Sequence, residues 1–483
     1  MGAISGALSK GAFRIEGASV SGTGLSASDF PVTTTNADAE EVQLQEYDLI
    51  PIKSEGVAEE HGFENDETLL GTPAVTGSDR VSVMGGGAIS CSGMYDGLTQ
   101  LIGCAMGFEK PDMLSSPTYS GGVTLITGGS MSANTWEDAN YTFTSNDIGK
   151  FIRINDQSSA EGQVRRITSV NGSECTVTPN WQVTPSQSGG QMGERFLHTF
   201  ELAPNLADEL ITETFSGYPV TGMGSANDQF IRRGTYGILK SSTAKPWVWR
   251  SCYVNSMGIS GSAGSSVSFD FDLVPFDVDR DSATNSHADT DNWEFTASPN
   301  VSNNERIMFS DIEFCRIDTY STSTALTNAD DVGISDFSVN LSNNLKADDQ
   351  DALSGIYRVE PTRGGAREVT VSFTLPRYES DRFIDYRSND TILMMHIRLS
   401  GSAIGGGAER QLDIFIPSLK LTSSTVAVGG ADVITQSFDG QAFLPEDGQG
   451  ASFPTPTLDA SEMYIQLTNE YPFNVFRNQN REY

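Results

Sequence analysis

The sequence contains few basic residues for its size. Lysine and arginine total 30 against 63 aspartate and glutamate residues, which gives a formal net charge of −33 over 483 residues. Proteins that bind nucleic acid by neutralising phosphates need clusters of basic side chains, and attraction to anionic membranes needs the same. The composition therefore argues against a basic nucleic-acid-binding module and predicts no membrane partner. It is compatible with a surface that does not adhere to DNA and, equally, with charge that only maintains solubility.

Cysteine and long apolar runs are also scarce. The five cysteines are odd in number and none forms a C-x-x-C pair, which argues against disulfides or zinc and predicts buried free thiols. No stretch of 18 apolar residues is present, and the start, MGAISGALSKGAF, lacks the basic segment and apolar core of a signal peptide. We therefore expect a chain that is made in the cytoplasm and stays soluble until it assembles.

Catalytic and cofactor-binding motifs are missing as well. The sequence has no G-x-S-x-G, no P-loop and no H-E-x-x-H, so it predicts no enzyme and no cofactor. One weak metal candidate is present, because Asp277, Asp279 and Asp281 have the first spacings of a calcium-binding EF-hand loop. The later positions of that loop hold Ser282 instead of glycine and Ala288 instead of glutamate. A solvated acidic loop is the alternative interpretation.

The abundant features are those of a β-rich chain. Forty-eight glycines and few long amphipathic runs indicate many turns, and 37% hydrophobic residues fit thin sheets that face water or partner subunits. The length suggests about three domains. The clearest predicted helix has apolar residues at Met94, Leu98, Leu101, Ile102 and Ala105.

A bent strand is predicted in the segment QLDIFIPSLKLTSS, residues 411–424. Its apolar residues change parity at Pro417-Ser418, which predicts a β-bulge, because a strand buries one face only. The segment RSCYVNSMGISGS, residues 250–262, makes the same change, and the pairs Cys252/Ile414 and Ile259/Leu421 share an offset of 162. Both segments are followed by Ser-Phe-Asp. Short patterns also match by chance, so unrelated strands are the alternative to duplication.

The order of elements around these segments repeats too. A strand, a short helix (in ESDRFIDYRS), the strand TILMMHIRLSG and the bent strand follow one another in the second half. The first half offers a glycine-broken strand, the predicted helix, ERFLHTFELA as the counterpart of TILMMHIRLSG, and the other bent strand. Between them, residues 118–190 predict an inserted small β-domain with a hairpin at Asn171-Gly172.

Four segments resemble the tail tube (major tail) proteins of long-tailed bacteriophages. They are SCYVNSMGISGSAGSSVSFDFDLVPF, DVGISDFSVNLSNNL, REVTVSFTLPRYES and LDIFIPSLKLTSSTVAVGGADVITQSFDGQAF. The resemblance implies a mainly β fold, with two tandem β-sandwich or barrel tube domains, each with a flanking helix, plus the inserted domain. The expected divisions are an N-terminal arm (1–79), a first tube domain (80–117 and 191–305), the insertion (118–190), a second tube domain (306–445) and a C-terminal arm (446–483). The C-terminal arm is expected to lie on a neighbouring subunit.

The family also implies a function. The expected role is a structural subunit of the virion tail, made in the host cytoplasm, whose rings stack into a channel for DNA ejection. A duplicated chain would close as a trimeric, pseudo-hexameric ring, with a hexamer as the alternative. The implied partners are other tail proteins (terminator, distal tail and tape measure) and viral DNA in transit without tight binding. A capsid decoration or surface-array protein, or a secreted hydrolase or carbohydrate binder, are the rival classes.

The channel wall is expected to carry polar, non-basic side chains that repel phosphates. Two predicted strands alternate apolar residues with such side chains, and their polar positions are the lumen-lining candidates: Asp270, Asp272, Thr370, Ser372 and Thr374. The alternative is that these residues face solvent on the exterior.

Overall fold

The fold is mainly β, with 24 strands and two α-helices in the part of the chain that the structure describes. The computed structural model describes residues 10–15, 44, 48–65, 78–109, 124–132, 134–148, 150–154, 164–178, 188–193, 196–202, 233–240, 247–275, 277–279, 305–346, 361, 364–405, 408–427, 433–445, 451–453 and 461–469. All pairings between the strands are antiparallel.

The strands of the first half are β1 (Lys10–Ile15), β2 (Leu49–Ile50), β3 (Ile52–Glu55), β4 (Ala58–Asn65), β5 (Ser78–Ser92), β6 (Gly107–Glu109), β7 (Thr124–Met131), β8 (Thr135–Asp138), β9 (Phe151–Ile154), β10 (Val164–Asn171), β11 (Glu174–Thr178), β12 (Ser188–Gly193), β13 (Phe196–Leu202), β14 (Arg233–Leu239), β15 (Trp247–Ser262), β16 (Ser268–Val274) and β17 (Asp277–Asp279). Those of the second half are β18 (Ile312–Thr319), β19 (Asp336–Ser342), β20 (Glu368–Leu375), β21 (Leu393–Gly405), β22 (Ala408–Ala427), β23 (Thr435–Ala442) and β24 (Tyr464–Asn469). The helices are α1 (Thr99–Met106) and α2 (Arg382–Ser388).

Eight strands form one continuous sheet, called here the polar-faced sheet. Its order is β3–β5–β16–β15–β19–β20–β23–β22. The last strand and β15 contribute only their C-terminal halves. The pairing of β15 with β19 joins strands from the two halves of the chain over seven residue pairs. Sheet hydrogen bonding therefore runs without a break from one half to the other.

A second layer packs against this sheet in two groups of strands. One group is β2–β1–β14–β15–β17, and the other is β18–β21–β22–β24–β13–β6. The N-terminal halves of β15 and β22 belong to this layer. Each long strand thus crosses from one layer to the other, and a single core cluster lies between the layers.

The crossing points are irregular in the way that the parity change predicts. In β15 the register shifts between Val254 and Ser256, and in β22 it shifts between Ile416 and Leu419, on either side of Pro417-Ser418. An extra residue on one strand bends it and increases its twist. The bulge lets each strand change layers while its apolar residues stay in the core, which confirms the bulges predicted at these positions.

Each helix follows the strand that is expected to precede it. Helix α1 begins directly after Leu98 and is buried on all sides against β15 and β1. Helix α2 packs on β22, and the ring of its Phe383 lies 5.1 Å from that of Phe438 in β23 and 5.9 Å from that of Phe373 in β20. The helices therefore pack on the apolar side of the polar-faced sheet.

The strands between Thr124 and Gly193 pair only among themselves within the described residues. They close a six-stranded barrel in the order β10–β11–β8–β7–β12–β9. The barrel has its own core, which contains Trp136, Phe143, Ile152, Ile167, Cys175, Val177 and Met192. The predicted hairpin joins β10 to β11, where Asn171 pairs with Glu174 around a turn that contains Gly172 at φ 65°.

Three features of the fold differ from the sequence-based expectations. The C-terminal segment is not only an arm, because β24 is a buried strand between β13 and β22 of the same chain. The N-terminal region is expected to be mostly irregular with one strand near residues 13–15; that strand is present as β1, but the region also contributes β3 to the polar-faced sheet. The strand that pairs with the first half of β15, as β21 pairs with β22, is β14 and not the ERFLHTFELA strand β13.

Candidate functional site

The polar-faced sheet has two chemically different faces. In β16 the side chains of Phe269, Phe271 and Leu273 are buried, while Asp270 is exposed between them. Strands β19, β20 and β23 alternate in the same way, with polar residues outside and apolar or glycine residues buried, apart from the buried Gln436 in β23. One face is therefore core, and the other is an unbroken surface of small polar and acidic side chains.

The register aligns the polar residues in rows across the sheet. One row runs through Ser90, Asp270, Gly258, Asn340, Thr370 and Gln441. The next runs through Ser92, Ser268, Ser260, Ser338, Ser372, Asp439 and Ser423. Most of the polar side chains in these rows are serine, threonine, asparagine or aspartate. The face is consequently smooth, because no long side chain stands in the middle of either row.

The five lumen-lining candidates lie together on this face. Asp270 and Thr370 occupy one row, and Ser372 lies in the next. Asp272 and Thr374 occupy the flanking rows, through Ser256 and Asp336 respectively. The sequence pattern thus identified residues of a single surface, although the pattern alone did not indicate that the two strands share a sheet.

The charge of the face is negative. Among the described residues of these strands, its basic side chains are Lys53 and Lys420, which both lie on the edge strands. Lys53 Nζ donates to Ser268 Oγ at 2.8 Å, and Lys420 Nζ lies 2.8 Å from Asp390 Oδ2. Five acidic residues share the face: Asp270, Asp272, Asp336, Glu368 and Asp439. A polyanion that approached this surface would meet carboxylates and hydroxyl groups across the central strands.

Hydrogen bonds between side chains hold parts of the face in place. Asn255 Nδ2 donates to Asp272 Oδ2 at 3.0 Å, and the hydroxyls of Thr374 and Ser437 lie 3.0 Å apart. A shallow concavity of about 430 Å³ lies over β16, β15 and β19, lined mainly by serines and the acidic residues. The concavity is part of the same polar face and shares Ser260, Ser338 and Asp270 with the two rows.

The acidic cluster that suggested calcium is only partly described. Asp277 and Asp279 belong to β17, where they pair with Arg250 and Val248 in extended backbone, whereas an EF-hand loop curves around its ion. Asp281 lies outside the described residues. The calcium site remains a prediction on these three residues. Within the described part of the chain, no group of three or more metal-ligating side chains is found.

A buried ionic cluster lies on the opposite side of the second layer. His396 Nε2 is 2.6 Å from Asp413 Oδ1, which also accepts from Arg398 Nε at 2.6 Å. The imidazole packs between the rings of Phe415 and Phe314. Burial lowers the pKa of His396, and the nearby Asp413 only partly offsets this effect. His396 and Asp413 are almost completely buried, so this pair packs the outer side of the second layer, and Arg398 is the partly exposed member of the cluster.

The cysteines agree with the sequence-based expectation, since all five are free and buried. Burial raises the pKa of Cys315 to about 12, which keeps this thiol protonated and unreactive. Among the described helices, none has the length and apolar character needed to cross a bilayer.

Comparison with known proteins gives one match. A family model described as phage tail tube protein matches residues 19–442, which include every strand of the polar-faced sheet. No curated protein matches the chain. The family match extends over most of the sequence. The chain belongs to the phage tail tube protein family.

Proposed function

We propose that three copies of this chain close each ring of a bacteriophage tail tube, with the polar-faced sheet lining the channel. As a tail tube protein the chain is a structural subunit of the virion tail, which assembles with copies of itself and with other tail proteins. The number of chains per ring and the identity of the lining face are the new parts of the proposal. The family gives no reason to expect enzymatic activity.

The internal repeat supports two ring positions per chain. In each half a strand is followed by a helix, and a bent strand leads into a Ser-Phe-Asp strand. The neighbours in the sheets correspond as well: β3, β5, β16 and β15 in the first half take the places of β19, β20, β23 and β22 in the second. Two similar units already lie side by side through β15 and β19, as two neighbouring units of a ring would.

The size of the sheet is compatible with a channel for DNA. Each chain contributes eight strands, so three chains would supply 24. Neighbouring strands are about 4.8 Å apart, which gives a closed wall with a circumference of about 115 Å and a diameter of about 37 Å, and strand tilt would widen it further. A bore of this size admits a DNA double helix after side chains are placed.

The chemistry of the polar face supports its place in the channel. Each contact of a lysine or arginine with a phosphate adds to a salt-dependent affinity, so a wall with fixed basic groups would retain DNA. The face instead presents carboxylates and small hydroxyls, and its two lysines are engaged by neighbouring side chains. The opposite side of the sheet cannot line a channel, since it is the protein core.

The six-stranded barrel fits the outside of such a tube. A channel must keep a uniform bore, so an insertion with its own core has room only on the exterior.

The acidic calcium candidate lies in the same half of the chain, and we assign it no role in the ring.

The number of chains in a ring tests the proposal directly. Native mass spectrometry of disassembled tubes, together with a reconstruction of the tube, should give three chains of 51.9 kDa per ring with pseudo-sixfold symmetry. Six chains per ring would overturn the two-position proposal. A bore lined by arginine and lysine would overturn the assignment of the polar face.

A further inference from the structure

The polar-faced sheet ends in two strand edges that have no partner within the described residues. At one end, β22 pairs with β23 through residues 419–427, and its other edge is unpaired beyond Leu419, where the pairing with β21 stops. At the other end, β3 pairs with β5 and its outer edge is unpaired. An open edge presents unused backbone N–H and C=O groups and readily accepts another strand.

The chain contains an internal example of how such an edge is occupied. Strand β15, which corresponds to β22, pairs on one edge with β14 and then, past the bulge, with β19. Strand β22 pairs on the matching edge with β21 and then with nothing in the described chain. Strand β19 is the edge strand that the second unit contributes to the polar-faced sheet, and β3 is the corresponding edge strand of the first unit. The equivalent partner for β22 is therefore β3 of the next chain.

We propose that the free edge of β22 pairs antiparallel with β3 of a second copy of this chain, in the register that β15 and β19 use within the chain. This inference rests on the proposed ring and names the strands that close it. It commits to a second copy as the occupant because the internal β15–β19 contact already supplies the geometry for joining two units.

The internal register gives the position of β22 in the new pairing. Ile259 in β15 lies opposite Phe269 on one side and opposite Val339 on the other. Ser424 lies opposite Phe438, the phenylalanine of the second Ser-Phe-Asp. The register therefore matches Ile259 to Ser424, and not to Leu421 as the sequence offset of 162 predicts; β22 has a further register shift between Leu421 and Ser423. The new neighbour of Ser424 takes the place of Val339.

The position of β3 follows in the same way. Val339 lies opposite Val371, which lies opposite Gly440. Glu55 lies opposite Ile89, which lies opposite Phe271. Gly440 and Phe271 each stand two residues after the phenylalanine of their Ser-Phe-Asp. Glu55 therefore corresponds to Val339, and the register places it opposite Ser424, with Ser54 opposite Thr425.

Two unsatisfied polar atoms support this register independently. Ser424 Oγ and Glu55 Oε1 are both buried, and neither has a hydrogen-bond partner in the described structure. A buried polar atom without a partner is unfavourable, so such atoms in a native protein need an explanation. Directly opposite residues on paired strands lie close enough for their side chains to bond. The Ser424 hydroxyl can then donate to the Glu55 carboxylate across the subunit boundary.

Cysteine cross-linking tests the register. In the Ser54→Cys/Thr425→Cys double variant, both new thiols lie on the polar face at exposed positions that the proposal places opposite each other. The native cysteines are all buried and should not interfere. Oxidation of assembled tubes should convert most of the monomer band on a non-reducing gel into covalent trimers, and each single variant should remain monomeric.

A matched control uses a neighbouring strand. Ser437 lies opposite Thr425 on β23, faces the same side and is exposed, but it is one strand further from the boundary. The Ser54→Cys/Ser437→Cys pair would span two strand spacings, about 10 Å, which exceeds the reach of a disulfide. Cross-linking of this control as readily as the first pair would overturn the register.

The outcomes separate this inference from the ring proposal. Three-chain rings that assemble normally but give no cross-link with the first pair would overturn the β22–β3 pairing and leave the ring intact. A ring of six chains would instead overturn the proposed function. If the double variant does not assemble, hydrogen exchange on the unaltered protein decides: amides in 421–426 should exchange at least about tenfold more slowly in tubes than in free subunits. Unchanged exchange there would overturn the pairing.

Discussion

At the level of single residues, His396 shows how burial determines a protonation state. Its ring is 1% exposed, and Nδ1 has no hydrogen-bond partner among the described residues. Asp413 Oδ1 can only accept, so Nε2 carries the proton that it donates. A second proton on Nδ1 would place an unpaired N–H and a charge between the rings of Phe314 and Phe415. The short distance to Asp413 alone would suggest an ion pair, which would raise the pKa of His396. The buried, neutral arrangement instead explains why this pKa is lowered.

The lowered pKa predicts a loss of stability in acid. The unfolded histidine has a pKa of about 6.5, and the folded one lies below it, so the unfolded state binds the proton first as pH falls. The contribution of neutral His396 to the free energy of unfolding is fully present above about pH 6.5. It decreases below that pH, by at most about 1.4 kcal/mol per pH unit. Urea unfolding at several pH values, compared with the His396→Gln variant, should show the wild type losing free energy of unfolding relative to the variant below pH 6.5. A difference that is independent of pH would contradict this.

The sequence predicted some of these residues and not others. Asp270 and Thr370 follow strict alternation, so their place on a polar face could be read from the sequence. Asp413 alternates with Leu412 and Ile414 in the same way, yet it is buried. The reason is a second core cluster on the outside of this layer, where Phe453 and Tyr464 from the C-terminal segment cover β22. Burial by residues that are distant in sequence leaves no signal in the local alternation of apolar and polar residues.

At the level of elements, the bent strands were the most informative part of the sequence. A change of parity around Pro417-Ser418 has few physical solutions, and the bulge is the one that keeps both apolar sets in the core. The identity of β24 was less accessible. Its residues are buried on both faces between β13 and β22, so the segment lacks the alternation that marks a half-exposed strand. Its partners come from distant parts of the sequence.

Helix α2 is held on the sheet by one aromatic anchor. Phe383 is buried, and its ring contacts Phe373 and Phe438 from two strands of the polar-faced sheet. We predict that Phe383→Ala lowers the free energy of unfolding by about 3 kcal/mol, because it removes a buried ring and leaves a cavity. Chemical denaturation of the purified chain measures this.

The control for that substitution lies in the same helix. Arg387 is exposed in the last turn, so Arg387→Ala keeps the helix propensity and removes a favourable charge at the C-terminal end, which costs at most about 1 kcal/mol. Equal losses for both variants would mean that the aromatic contact does not anchor the helix.

At the level of the whole molecule, the two halves join into one sheet through β15 and β19. The parity changes that suggest a repeat are present in the sequence, but the pairing of β15 with β19 could not be predicted from it, because strand pairing over nearly 80 residues depends on tertiary structure. The same limit applied to the lumen-lining candidates. In the sequence they form two separate sets, and the fold brings them onto one surface that runs without interruption from β5 to β23.

The acidic surface predicts that tubes do not retain DNA. Basic substitutions on this face should make the tubes bind it. Ser338 and Ser372 lie opposite each other in the middle of the sheet. The Ser338→Lys/Ser372→Lys variant would place six new lysines in each three-chain ring. Tubes of this variant should bind short duplex DNA with an affinity that falls steeply with salt, since each phosphate contact adds about 0.9 to the slope of log K against log salt. Wild-type tubes should show no such binding in a filter or sedimentation assay.

The position of the lysines, and not only their number, should decide the outcome. Thr168→Lys/Ser169→Lys adds the same charge at exposed positions on the barrel, which the proposal places outside the channel. The proposal places these two lysines outside the channel, so stacked rings should not align them along a path that a duplex can follow, and we expect DNA binding close to that of the wild type. If both variants bind DNA equally, the polar face does not line the channel.

If wild-type tubes already hold DNA tightly at low salt and release it at high salt, the face is not the repulsive wall that its carboxylates indicate. Weak wild-type binding together with strong binding by the Ser338/Ser372 variant alone would show that DNA reaches the centre of the polar-faced sheet, as a channel lined by that face predicts.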